Sequence, residues 1–164
     1  MMLDPQTFGA TLVATTPDAV IYADAEGMIR FWNGGATRVF GFAADEAIGT
    51  SLDLIIPASL RQRHWHGFHH TMQTGESRYG AGDMLAVPAL RKDGTRISVE
   101  FTIVPFHDAD GRMTGIAAVL RDVTARFTEL RTLRGQVDSL SRKAESAADE
   151  KAGGLNQTDA GRPA

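Results

Sequence analysis

At 164 residues, with a formal net charge of -3, the chain has room for one domain of ordinary size and a short extension. It lacks the clustered Lys and Arg that a phosphate backbone demands, so nucleic acid is not expected as a ligand. No cysteine is present, which excludes disulfides, thiolate metal sites, cysteine nucleophiles and cysteinyl cofactor adducts together.

Residues 1–9 read as an N-terminal extension. Asp18 to Asp24 and Met28 to Trp32 are two short apolar runs joined by Ala25-Glu26-Gly27, the pattern of a β-hairpin. Asn33 then offers a side-chain cap to a short helix that Gly41 stops, and Asp45 to Gly49 reads as a further single turn. Pro57 opens a longer helix, Ala58 to Thr74, ended by Gly75. Three strands follow, Met84 to Leu90, Ile97 to Phe106 and Met113 to Leu120, with Asp93-Gly94 and Asp110-Gly111 in the turns between them. In the middle strand Ile97, Val99, Phe101 and Ile103 alternate with Ser98, Glu100 and Thr102, so one sheet face is expected to be buried.

Beyond Val123, the residues Leu130, Leu133, Val137 and Leu140 are spaced by three and four, as a coiled-coil seam requires, over about two heptads. Residues 125–148 are therefore expected to form a dimerisation helix, and the polar end, 149–164, a disordered tail. The longest apolar runs, Leu52 to Pro57 and Gly115 to Leu120, are far too short to span a membrane, and no basic start precedes an apolar leader. A cytoplasmic protein is expected. The fold class these elements predict is α+β, a five-stranded antiparallel sheet with short helices on one face.

Several segments in this order resemble the PAS family of sensory modules. Thr16-Pro17-Asp18-Ala19-Val20 is similar to the approach to its first strand, and Trp32-Asn33-Gly34-Gly35-Ala36 with Phe40-Gly41-Phe42 to its segment "W-N-x-A-A … F-G-Y". Glu46-Ala47-Ile48-Gly49 resembles its "E-x-x-G" turn, Arg91 to Thr95 its "R-K-D-G-T" turn, and Arg121-Asp122-Val123-Thr124 its "R-D-I-T" junction. The likeness places the domain at residues 10–124 and implies that Arg121, Asp122 and Thr124 couple the sheet to the departing helix. Read from the residues alone, Asn33 is a helix cap, the glycines meet turn geometry and Trp32 packs in the core.

The family binds haem, flavins, small carboxylic acids or nothing, and the missing cysteine removes its cysteine-adduct branches. Helical spacing places Leu60, His64, Gly67, Phe68 and Thr71 on one face of the long helix and His66, His69, His70 and Gln73 mainly elsewhere, so His64 is expected to point inward. Pro57 to His64 also resembles the segment that supplies the proximal histidine in haem-PAS oxygen sensors. That likeness implies haem b on His64, and alignment from the Asp93-Gly94 turn implies Phe101 and Ile103 over the ligand side; Met84, near the start of the third strand, is a candidate for the opposite axial ligand because a thioether sulfur suits low-spin haem iron. Those sensors carry an arginine on the third strand, and this chain departs from them with Asp83-Met84-Leu85-Ala86. Arg61, Arg63 and Arg78 are cations for propionates or for a solvated helix end; His66 and His70, one helical turn apart, make only a two-ligand metal site on a wet face.

No nucleophile elbow, phosphate loop or metal triad is present, so an enzyme is not expected. The expected function is a stand-alone sensor that homodimerises and signals in trans to a separate kinase or regulator. The alternative is a ligand-free module that pairs with another protein through its sheet face or tail.

Overall fold

The computed structural model describes residues 4–75 and 85–154. Helix α1, Pro5–Thr15, begins where the Asp4 side chain accepts from the Thr7 amide and Pro5 occupies the first turn. The extension expected at residues 1–9 is thus partly helical, and the Asp-Pro pair that starts the helix was its sequence signal.

Strands β1 (Ala19–Asp24) and β2 (Ile29–Trp32) form the expected hairpin, and α2 (Gly34–Phe40) follows it. Gly41 ends α2 in the left-handed region, at φ 80°. A short α3 (Ala44–Ala47) and a 3₁₀ turn, Leu52–Leu54, lead to α4 (Ala58–Thr74), whose bounds are those the sequence predicts. Strands β3 (Leu85–Leu90), β4 (Arg96–His107) and β5 (Met113–Asp122) complete one antiparallel sheet of order β2-β1-β5-β4-β3. The first and last strands of the chain's sheet segments therefore lie side by side, with Ala19 opposite Leu120 and Ile21 opposite Ala118.

One face of that sheet carries the core. Ile21, Ile97, Val99 and Leu120 pack with Ile29, Trp32, Phe40 and Ile55, which come from β2 and the helical layer. Trp32 fixes the layer by donating from Nε1 to the Thr37 hydroxyl, 3.1 Å, and to the Phe42 carbonyl, 3.2 Å. The other face is wetter, although Tyr22 meets Phe106 edge-on at 5.2 Å there and Val104 opposes Ala117.

The chain divides into two compact units, one ending at Thr124 and the other beginning at Ala125. Helix α5, Thr124–Gly154, starts on the last residue of the first unit and otherwise belongs to the second, continuing through the first part of the tail expected at 149–164; residues 155–164 lie outside the described residues. No helix among the described residues is long and apolar enough to cross a membrane.

Candidate functional site: the inner face of α4 and the strand-to-helix junction

Helix α4 sorts its side chains as the 3.6-residue period requires. Phe68 and Thr71 are buried, Leu60, His64 and Gly67 are half-buried, and His66, His69, His70 and Gln73 are exposed. His64 sits among aromatic rings, with centroids 5.0 Å from Trp65 and 6.0 Å from Phe68. Its Nδ1 is buried without a hydrogen-bond partner. Burial pushes the imidazole below its ordinary range, against an opposing pull from the Asp53 carboxylate and with a small push from His69, so the ring is neutral at pH 7.

Trp65 holds this stretch of α4 against the β1–β2 turn. Its Nε1 donates to Asp53 Oδ1 at 2.8 Å, and the Arg61 guanidinium donates to the Asp53 carbonyl at 3.0 Å. The ring lies on Gly27, where a Cβ would come within 2.3 Å of it and where φ is +78°. Glycine is required at that turn twice over, for its backbone and for the indole.

Of the residues expected around a ligand, Leu60, His64 and Phe68 share the inner face of α4. Phe101 is half-buried against the core cluster, and Ile103, two residues on along the same face of β4, is also half-buried. Met84 and Arg78 lie outside the described residues. Among the described residues no group of three His, Cys, Asp or Glu side chains is arranged to hold a metal ion.

The junction is built from three separated pieces of chain. Asp122 accepts from the Arg91 guanidinium at 2.6 Å, and from the Thr124 amide at 2.9 Å and hydroxyl at 2.6 Å. The Thr124 hydroxyl oxygen in turn accepts from the Ser98 amide at 2.9 Å, and the Val123 amide donates to the Ser98 carbonyl at 2.9 Å. Burial alone would raise the Asp122 carboxyl, but the bonds from Thr124 and Arg91 outweigh it and hold the group below its ordinary value. Arg121 grips Asp18 with two bonds, 2.9 and 2.7 Å, and these hold the Asp18 carboxyl low as well.

Arg91 belongs to the β3–β4 turn, which also reaches the helical layer: the Lys92 amide donates to the Phe40 carbonyl, its ammonium pairs with Glu46, and the Leu90 amide donates to the Ile55 carbonyl. The exit of α5 is thereby hydrogen-bonded, through one turn, to the elements that cover the inner face of the sheet. Arg91, Ser98, Asp18 and Trp65 are the participants that sequence reasoning did not assign. Only the opposite charges of Arg91 and Asp122 hint at their pairing, and 31 residues separate them.

A five-stranded antiparallel sheet, covered on one face by helices and continued by a helix through a hydrogen-bonded junction, is the architecture of a small sensory module. The chain belongs to the PAS family: the sequence model described as the PAS fold matches residues 13–127.

An uncharacterized protein of Azorhizobium caulinodans is 37% identical over 123 residues, covering 74% of this chain and 16% of that protein. The sensor protein FixL of Bradyrhizobium diazoefficiens is 28% identical over 149 residues, or 87% of this chain and 29% of FixL. The oxygen sensor protein DosP of Escherichia coli is 30% identical over 117 residues, or 70% and 14%. The chain thus spans 14–29% of the length of these curated relatives. Among solved structures, a PAS domain from Colwellia psychrerythraea aligns at a TM-score of 0.65 with 22% identity, over 74% of this chain and 99% of that one. The PAS domain of BvgS from Bordetella pertussis aligns at 0.54 with 22% identity, over 84% and 99%.

Proposed function

We propose that this PAS unit is a cytoplasmic sensor that binds haem b through His64 on the inner face of α4, and that it signals as a homodimer through α5 to a kinase or other regulator. The sensory part rests on the family and on relatives named as a sensor and an oxygen sensor. The ligand part rests on one observation, the buried Nδ1 of His64, which no protein group satisfies.

A buried imidazole without a partner costs about 1–3 kcal/mol, and a bound group that engages the ring offsets that cost. The donor suits haem iron: it is neutral at pH 7, it is carried on a helix rather than a loop, and its ring is flanked by Trp65 and Phe68. When bound, haem supplies a redox-active iron that takes diatomic gases. The protein's own share is to hold the imidazole, to line the site with apolar side chains such as Phe68 and Phe101, and to carry a change on the inner face to Asp122 and Thr124. With no arginine in Asp83 to Ala86, hydrogen bonding to a gas from the third strand is not part of the proposal.

Absorption spectra of the purified protein, as isolated and after adding haem, test the reading. A sharp Soret band lost in His64→Ala is expected. Equal haem affinity and absorbance in that variant would remove His64 as the ligand, and no saturable haem binding would remove haem.

A second reading, a ligand-free interaction module, is favoured by the apolar row that α5 leaves exposed. Phe127, Leu130, Leu133, Val137 and Leu140 are all on the surface. A colourless protein that binds a partner through residues 123–145 would support that reading.

A further inference from the structure

Resting on the reading of His64 as the haem ligand, we infer that Trp65 is its positioning residue: a pinned indole orients the imidazole where a hydrogen bond usually does. A helix fixes where the Cβ of His64 points, but rotation about the last side-chain bond of a histidine is broad and two-fold, so the ring needs a further hold. At most metal-ligating histidines a carboxylate, a backbone carbonyl or a water takes the second ring N–H and supplies it. Among the described residues no such partner meets His64, whose Nδ1 is buried and unbonded. The ring is bordered by aromatic groups, Trp65 edge-on at 5.0 Å and 78° and Phe68 tilted at 6.0 Å.

Such a wall works only if it cannot itself turn, and the indole is held on three sides. Its Nε1, the ring's one polar atom, donates to Asp53 Oδ1 at 2.8 Å. Its six-membered ring lies against Gly27, where the missing Cβ leaves the space, and Phe68 meets it edge-on at 5.4 Å. The carboxylate and the turn are in addition tied to each other. The Leu52 amide donates to the Gly27 carbonyl at 3.1 Å, Met28 bridges to Ser51, and the Ser51 hydroxyl accepts from the Asp53 amide at 3.2 Å. Arg61, one helical turn before Trp65, donates to the Asp53 and Ile56 carbonyls at 3.0 and 3.2 Å, so the helix that carries His64 also holds the backbone of the anchor. Phe68, with no polar atom, has no comparable hold.

Two readouts on the full chain test this role: haem titration, and the ring C–H resonances of His64 in the haem-free protein, assigned by their loss in His64→Ala. The native chain is expected to show one sharp set. Trp65→Phe keeps a ring and removes the anchor, and is expected to weaken haem binding about tenfold and to broaden or split the His64 signals as the imidazole samples both orientations. Asp53→Ala is expected to do the same, and Asp53→Asn, which keeps an acceptor oxygen and drops the charge, to recover most of the loss. Gly27→Ala puts a Cβ 2.3 Å from the indole and is expected to follow Trp65→Phe, whereas Gly49→Ala, at a similar positive φ but with no atom within 4 Å, is not. These variants lie on separate elements, so one that fails to fold leaves the others to be read. Native behaviour in Trp65→Phe, Asp53→Ala or Gly27→Ala would overturn the role of the pinned indole. Equal losses in Asp53→Asn and Asp53→Ala would overturn it as well, since the charge and not the anchor would then matter. A native chain that binds no haem would remove the ligand reading, and the haem-free resonances would still decide whether Trp65 orients the ring.

Discussion

Among single residues, Asn33 carries the most of the fold. Its Oδ1 accepts from the Val20 and Ala36 amides, both at 2.8 Å, while its Nδ2 donates to the Val13 and Asp18 carbonyls at 2.9 and 3.1 Å. One 5% exposed amide thus ties the end of α1, the start of β1 and the first turn of α2. Capping of α2 was readable from the sequence, since Asn before a helix is a local signal. The other three bonds were not, because they join segments that meet only after folding. Asn33→Ala is expected to lower stability by about 3 kcal/mol, through the lost cap and the buried groups left unpaired, as urea denaturation would measure. Its neighbour Gly35 is constrained by contact: a Cβ there would lie 2.0 Å from the Asp18 carbonyl oxygen. Backbone cannot yield as a flexible side chain does, so Gly35→Ala is expected to cost at least about 2 kcal/mol, again by denaturation. The same substitution at Gly49 meets no atom within 4 Å, although its φ of +87° still strains it.

The elements that carry local signals were found in the sequence, and their connections were not. Alternation along β4, turn glycines and the Pro57 to Gly75 punctuation each lie within a few residues, so the hairpin, α4 and the three-stranded meander could be placed. By contrast, Arg121 and Asp18 are 103 residues apart and meet because β5 lies beside β1. Likeness to a family singled out Asp122 and Thr124, and the geometry supplies their partners. The ion pair of Asp122 carries a pH dependence. Its carboxyl is lower in the folded chain than in the unfolded one, so the folded state binds fewer protons there. That contribution is complete above the ordinary carboxylate pKa of about 3.9 and is lost as pH falls through the lowered value. The stability gap between the native chain and Asp122→Asn is therefore expected to be widest near neutral pH and to close progressively below about pH 4, which denaturation at a series of pH values would trace. A gap that grew on acidification would have the wrong sign.

For the molecule as a whole, the division at Thr124 separates the unit that holds the hydrophobic core cluster from α5. Among the described residues, every member of the hydrophobic core cluster lies between Ala19 and Leu120, and none comes from α5. A chain ended after residue 128 is therefore expected to keep the thermal transition of the first unit within a few degrees, as calorimetry at low concentration would show. Leu133→Asp with Val137→Asp is expected to leave that transition in place while shifting the sedimenting species from dimer to monomer, since both side chains are exposed within the single chain. Helical spacing foretold this face of α5 but not its length, because the Ala-rich stretch from Ala144 onward has strong helix propensity and little hydrophobic pattern.

The placement of Trp65 gives the protein an optical gauge. The chain has two tryptophans. Trp32 is 4% exposed in the core, where its emission reports on whether the domain is folded. Trp65 meets the His64 ring edge-on and itself donates to the Asp53 carboxylate, so its fluorescence reads the inner face of α4. A strongly absorbing group seated on His64 would drain the light of both tryptophans by energy transfer, Trp65 the more because it touches the ring, and a colourless occupant would shift the colour of Trp65 without extinguishing it. Comparing the native chain with Trp65→Phe would therefore separate occupancy of the site from unfolding, with no label attached.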